Sequence, residues 1–213
     1  MLRLFILSLT LLVTACVPIW QAKLPLEQDG ADVFWNTRFP QLVKLNNWEI
    51  QGRSVISQKR ESWNAGLIWQ EFNGTYQVKL QGPFAQGGAI LKGQQGKAIL
   101  IMDDGQILSS ASPETLLKEA LNMPLPIEAL RDWLRGMPYA QQDYELIEFD
   151  HQGRVTSLLQ QGWQIDYKRY IPFEHYSMPA KIFIKQGDRS LRIVISDWER
   201  TTIEQSMHWR IAK

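Results

Sequence analysis

Between residues 47 and 110 apolar side chains recur at every second position, in short runs that each stop at a turn signal. Trp63, Ala65, Leu67 and Trp69 alternate with Ser62, Asn64, Gly66, Ile68 and Gln70. Tyr76, Val78 and Leu80 alternate in the same way with Thr75, Gln77, Lys79 and Gln81. A period of two puts successive side chains on opposite sides of a strand, so each run has one apolar face to bury. Asn73-Gly74, Gly82-Pro83, the stretch 93–96 and Asp103-Asp104-Gly105 separate the runs, and these residue types favour tight reversals. Six strands are predicted, at 47–58, 62–72, 74–82, 88–93, 97–103 and 106–110. The pattern resumes at 144–149, 154–160, 163–168, 180–185 and 189–197, with short turns at all but the Pro-flanked loop before 180. About eleven strands linked so tightly pair antiparallel with their sequence neighbours. Such a sheet curls into a barrel or half-barrel, which buries an inner face and removes edges.

Three segments carry helical spacing instead. Residues 31–45 place Val33, Phe34, Leu42, Val43 and Leu45 at roughly helical spacing, interrupted by Pro40; one amphipathic helix, or two pieces bent at Pro40, is expected. Ser112-Pro113-Glu114-Thr115 supplies an N-cap Ser and Pro at the first helical position, opening a helix that buries Leu116, Leu117, Ala120 and Leu121. A second helix with Ile127, Leu130, Trp133 and Leu134 closes at Gly136 and Pro138. The apolar faces of these last two helices must cover something.

The inner-face candidates of the strands are almost purely apolar: Leu67, Trp69, Tyr76, Val78, Leu80, Ile99, Ile101, Trp163, Ile165, Ile182, Ile184, Ile193 and Ile195. Leu117, Leu130, Trp133 and Leu134 are added by the helices. Eight strands can fill a barrel with their own side chains, whereas eleven leave spare volume. An apolar cavity under the two helices is the expectation, and a solid core completed by those helices is the alternative. At about 0.8 kcal/mol per buried methylene, an acyl chain of roughly fourteen carbons gains on the order of 10 kcal/mol from such a shelter.

Residues 1–15 hold one positive charge, Arg3, ahead of an uncharged, mostly apolar run that ends in small residues before Cys16. This is the layout of an export signal, and the run from Leu4 to Val13 is short for a membrane-spanning helix. Leu12-Val13-Thr14-Ala15-Cys16 resembles the bacterial lipobox, in which the cysteine is lipidated and becomes the first residue of the mature protein. Cys16 is the only cysteine of the chain, so a disulfide within it or a cysteine-based metal site is excluded. Val17 rather than Asp after the lipidated position implies sorting to the outer membrane. Residues 16–30, with Pro18, Pro25 and Gly30, read as a lipidated terminus and tether ahead of a single domain over 31–213. Loss of residues 1–15 removes Arg3 and no acid, which leaves 22 basic and 22 acidic residues. That balance offers no electrostatic reason for a nucleic-acid partner.

No catalytic constellation is evident. His151, His175 and His208 fall in a hairpin turn, a Pro-flanked loop and the C-terminal tail, without metal-ligand spacing. No G-x-S-x-G elbow occurs, and neither Gly-rich stretch opens a helix or precedes Lys-Ser/Thr. Asp103-Asp104 reads as a turn. No enzyme activity, cofactor or metal is expected.

Several ordered landmarks together resemble the LolB family of outer-membrane lipoprotein receptors. They are the lipobox at Cys16, Trp48-x-x-x-Gly52-Arg53, Trp69-Gln70, and Tyr76-x-x-x-Leu80-x-Gly82-Pro83-Phe84. Further along come Pro126-x-x-x-Leu130-Arg131-x-Trp133-Leu134-x-Gly136-x-Pro138, Gly162-Trp163-x-x-x-Tyr167, Met178-Pro179-Ala180 and a last strand ending at Trp198. The resemblance implies a half-open barrel of eleven strands with a helical lid over an apolar cavity. It also implies a non-enzymatic receptor that accepts lipoprotein cargo from the periplasmic carrier LolA and places it in outer-membrane lipid, as a tethered monomer. A protruding loop that helps deliver cargo to the membrane carries over by the Gly-Pro-hydrophobe pattern to Phe84, although Ala85 stands where Gly is usual. The alternative is a structural or assembly lipoprotein with a filled core; a lipid-modifying enzyme is the weakest reading.

Overall fold

The computed structural model of the protein describes residues 31–82 and 87–201. Cys16, Phe84, Trp20, His208 and Trp209 lie outside the described residues. The elements, in chain order, are α1 (Ala31–Val43), β1 (Asn47–Gln58), β2 (Glu61–Phe72), β3 (Thr75–Gln81), β4 (Gly88–Gln94), β5 (Lys97–Met102), β6 (Ile107–Ser110), α2 (Pro113–Leu121), α3 (Ile127–Leu134), β7 (Leu146–Phe149), β8 (Val155–Gln160), β9 (Trp163–Phe173), β10 (Tyr176–Gln186) and β11 (Arg189–Glu199).

All eleven strands join one antiparallel sheet in the order β6-β5-β4-β3-β2-β1-β11-β10-β9-β8-β7. The first six and last five strands are two meanders, and the β1–β11 pairing joins them. The sheet curls without closing, because β6 and β7 remain its two edges. This is the half-open barrel with α2 and α3 inside its curve. Short turns govern the order. At the β2–β3 reversal Asn73 and Gly74 have φ of 48° and 83°, the left-handed pair that matches strand twist.

Glycine is required where backbones come closest. A β-bulge at Gln51/Gly52 shifts the β1–β11 register, and a Cβ on Gly52 would lie 2.2 Å from the Val194 carbonyl oxygen. On β4 the ring of Tyr76 lies across Gly93, where a Cβ would meet it at 2.1 Å.

The helices form where expected, although Val33, Phe34 and Val43 of the first are exposed rather than buried. Ser112 caps α2 by accepting a hydrogen bond from Thr115 N–H at 3.2 Å, with Pro113 in the first turn. Residues 31–43 form one helix that contains Pro40. Trp35 packs on Phe39 and on Phe149 of β7, and Leu42 and Leu45 are fully buried. Arg135, just past α3, donates to the Leu42 and Leu45 carbonyl oxygens at 3.2 and 3.0 Å, tying the end of α1 to the end of α3.

Two strand readings need correction. Residues 169–179 are not a loop: β9 runs to Phe173 and β10 begins at Tyr176, so His175 sits in the tight turn between two long strands. Pro179 is tolerated inside β10 because the register with β9 shifts at that point. The second correction is one of phase. Ile99 and Ile101 were expected inside, but Ala98 and Leu100 are the buried residues of β5. Ala98-Ile99-Leu100-Ile101-Met102 is apolar at every position, so its period carries no phase. Pairing with β4 sets it: Leu100 lies opposite buried Leu91, and Ile101 opposite Ile90 on the outer face.

Candidate functional site: an apolar cavity under two helices

The inner face of the sheet divides into two regions. On the side of β7–β10 it is solid. Trp163, Ile165, Ile182, Ile184 and Ile195 are buried there with Trp133 and Leu134 of α3. Gln160, fully buried at the end of β8, holds the loop after α3. It accepts from Trp133 Nε1 and Tyr139 N–H, both at 2.8 Å, and donates to the Tyr139 and Gln142 carbonyl oxygens at 3.0 and 2.7 Å. Tyr167 closes the same region by donating to the Trp133 carbonyl oxygen at 2.8 Å.

Over β1–β4 and β11 a gap remains beneath the helices, while α2 comes close to β5 and β6. Leu67, Trp69, Val78, Leu80 and Ile193 form the sheet wall of an apolar cavity, and Leu117 and Leu130 form part of its roof. These seven are predicted lining residues. Tyr76, Trp133, Leu134, Trp163, Ile165, Ile182, Ile184 and Ile195 are core but not lining, and Ile99 and Ile101 face away. Lining residues that pattern reading missed include Ile56, Leu91, Leu100 and Leu191 on strands, with Leu121, Met123, Leu125 and Ile127 from the end of α2 through the linker to α3. Met123 and Leu125 lie between two amphipathic helices, and as apolar residues there they had a face to bury.

The space wide enough for the centre of a water-sized sphere is about 50 Å3. That is room for a few waters at about 10–15 Å3 each.

Charged groups fasten the roof. Arg131 of α3 donates from Nε to Glu71 Oε2 at 3.1 Å and from Nη2 to Glu71 Oε1, while its Nη1 meets Glu128 at 2.7 Å. The same guanidinium lies 5.0 Å from the ring centroid of Tyr76. Burial pushes the Glu71 carboxyl above the ordinary carboxylate range, with Arg131 pulling the other way. It also pushes the Tyr76 hydroxyl up, and neighbouring Glu128 adds to that. Burial works against the charge on Arg131, but Glu71 and Glu128 more than compensate, so it stays protonated. Glu114 of α2 accepts from the Glu128 N–H at 3.1 Å, joining the two roof helices at the start of α3. At the linker, Arg189 reaches the Pro124 carbonyl oxygen at 3.4 Å with its guanidinium 5.3 Å from the Trp163 ring centroid. Glu71 was readable in principle: it shares the inward phase of Trp69, and an ionisable residue at an inner-face position needs a partner.

Among the described residues no group of His, Cys, Asp or Glu is arranged to hold a metal ion, and no helix is long and apolar enough to cross a membrane. Asp104 accepts from the Gln106 N–H at 2.9 Å, as a turn residue does.

A family profile described as "Outer membrane lipoprotein LolB" matches residues 46–198, from the start of the sheet to its last strand. The chain belongs to the LolB family. A LolB of Pseudomonas aeruginosa is 34% identical over 93% of this chain and 96% of its own length. That of Ectopseudomonas mendocina is 31% identical over 95% of this chain and 98% of its own length. Among solved structures, a DUF1329 family protein from Desulfovibrio piger superposes with a TM-score of 0.55 at 8% identity, covering 86% of this chain and 96% of the other; the likeness is one of fold alone. For a LolB the landmarks acquire local causes. Gly52 is the bulge against Val194, Arg131 is the fastening to Glu71, and Trp133 is the donor held by Gln160. The chain is thereby an outer-membrane lipoprotein of this family.

Proposed function

We propose that this protein accepts lipoproteins from a periplasmic carrier of the LolA type and inserts them into the outer membrane, sheltering their acyl chains in the cavity under α2 and α3. The observation that carries this reading is the cavity itself, apolar on sheet wall and roof and bounded by a roof held from one side by charged side chains. Handover requires only that the chains prefer this cavity to the carrier's and the bilayer to this cavity, a gradient that needs no nucleotide, cofactor or catalytic residue.

In this reading residues 1–15 are removed as a signal peptide and Cys16 carries the lipid that anchors the protein on the periplasmic face. Residues 17–30, which span at most about 3.3–3.6 Å each, reach roughly 50 Å when extended. That exceeds the diameter of a domain of this size, so an anchored monomer can turn its cavity toward an arriving carrier and then toward the bilayer. Phe84, carried by the family pattern, is the residue that enters lipid during release.

The test is to incubate the purified protein with a LolA–lipoprotein complex and follow the cargo by affinity pull-down. Transfer is the expected outcome. Absence of transfer, together with no uptake of an apolar fluorescent probe, supports instead a structural lipoprotein with a filled core.

A further inference from the structure

The outer face of the sheet beside the β3–β4 loop carries an apolar row that the core does not use. Lys79, Ile90, Ile101 and Ile107 stand directly opposite one another across β3, β4, β5 and β6. Ile99, the neighbour of Ile101 on the same face, lies opposite Lys92. Ile107 is 65% exposed on the free edge strand, and the other three isoleucines are half-buried. Isolated exposed hydrophobic residues need no explanation, but a contiguous set marks a contact surface.

We propose that this isoleucine row rests on a phospholipid bilayer. Three features commit it to that occupant. The first is position: the Gly82 N–H donates to the Gly87 carbonyl oxygen at 2.8 Å, and Gln81 pairs with Gly88, so the row begins two residues from the base of the β3–β4 loop. The second is charge. Lys79 and Lys92 flank the isoleucines and have no acidic partner among the described residues, which leaves their ammonium groups for lipid phosphates while their stems lie along apolar surface. Asp103 and Asp104, in the β5–β6 turn beside Gly88, balance them, so the surface fits zwitterionic headgroups rather than a strongly anionic membrane. The third is shape. β6 is an unpaired edge of four residues, and its isoleucine projects where the sheet ends. The inference rests on the membrane-delivery reading above and extends it from one loop residue to a docking face.

The test uses the full lipidated chain reconstituted in phosphatidylcholine–phosphatidylethanolamine vesicles, with an environment-sensitive dye on Ile107→Cys and, as control, on Lys185→Cys, an exposed outer-face position on β10. With Cys16 lipidated only the introduced thiol reacts, and a second dye per chain reports failure of the anchor rather than of the docking face. Expected is a blue shift and quenching by brominated lipids at position 107 and neither at 185. Equal quenching at both positions, or none at 107, overturns the proposal. Shielding of the 107 dye without vesicles, with a dimer in sedimentation, overturns it in favour of a second copy of the chain. A variant with Ile90→Ser and Ile101→Ser should deliver cargo to vesicles roughly tenfold more slowly, since the bilayer contact is apolar. Its acceptance from the carrier should be unchanged. Loss of acceptance in the unsubstituted protein would fault the functional reading instead.

Discussion

Arg131 and Glu71 form a forked ion pair between the roof and the wall of the cavity, with Nε and Nη2 of one meeting the two carboxylate oxygens of the other. Glu71 is 5% exposed and comes from β2, whereas Arg131 comes from α3, so the pair ties the helix roof to the sheet wall. Removing Glu71 leaves Arg131 paired with Glu128 alone. Glu71→Ala is expected to cost about 1–3 kcal/mol in urea denaturation. Replacing both partners, Glu71→Met with Arg131→Leu, should recover most of that loss and admit an apolar dye at a different rate. The pair also has a pH signature. Because burial raises the Glu71 carboxyl in the folded state, the folded protein binds that proton more tightly than the unfolded chain. Its contribution to stability is therefore fully present below the ordinary carboxylate value and is lost as pH rises through the raised one. Glu71→Gln should flatten that part of the stability profile; an unchanged slope would assign it to other groups.

Two tryptophans should respond to different degrees to the same substitution. Trp133 donates its indole N–H to Gln160, and Trp133→Phe leaves a buried amide oxygen short of one bond and a void beside it. A loss of about 2–4 kcal/mol is expected for that change. The indole N–H of Trp69 is buried without a partner among the described residues, so Trp69→Phe removes an unsatisfied donor along with ring volume. Its net effect should be under about 1 kcal/mol. Thermal denaturation of the two variants side by side decides whether the hydrogen bond or the volume dominates.

Gly52→Ala brings a methyl group onto the Val194 carbonyl oxygen, and two backbones, not a flexible side chain, must move apart. An expected cost of about 1–3 kcal/mol falls on the β1–β11 pairing, which alone joins the two meanders. Hydrogen exchange should quicken at Arg53 and Val194 before it does within β9–β10. Uniform quickening would mean that the join and the meanders unfold as one unit.

Phe84→Glu tests the loop that the LolB pattern assigns to delivery. A carboxylate resists entry into the bilayer, so cargo should be accepted from the carrier and then retained. Delivery to vesicles at the unsubstituted rate would remove Phe84 from the mechanism.

The alternation in β2 and β3, the Asn73-Gly74 reversal and the Ser112-Pro113 cap are local signals, and each placed its element to within a residue or two. Strand number followed from them, because every short turn leaves only an antiparallel neighbour as a partner. Local pattern had no hold on β5, where every residue from Ala98 to Met102 is apolar; the choice of Leu100 over Ile99 and Ile101 belongs to the register with β4. It also had no hold on where the inner face is solid. Trp163 and Trp69 have the same alternating pattern, yet one lies in solid core facing Trp133 and the other lines a cavity. Nor could sequence alone join Glu71 to Arg131, which lie 60 positions apart. Periodicity and turn chemistry act over a few residues, so the sequence by itself determined the strands, the capped helices and the apolar character of the interior. Packing acts between segments that meet only after the sheet has curled, so tertiary structure alone decided which apolar residues touch, which leave a gap, and which charges hold it shut.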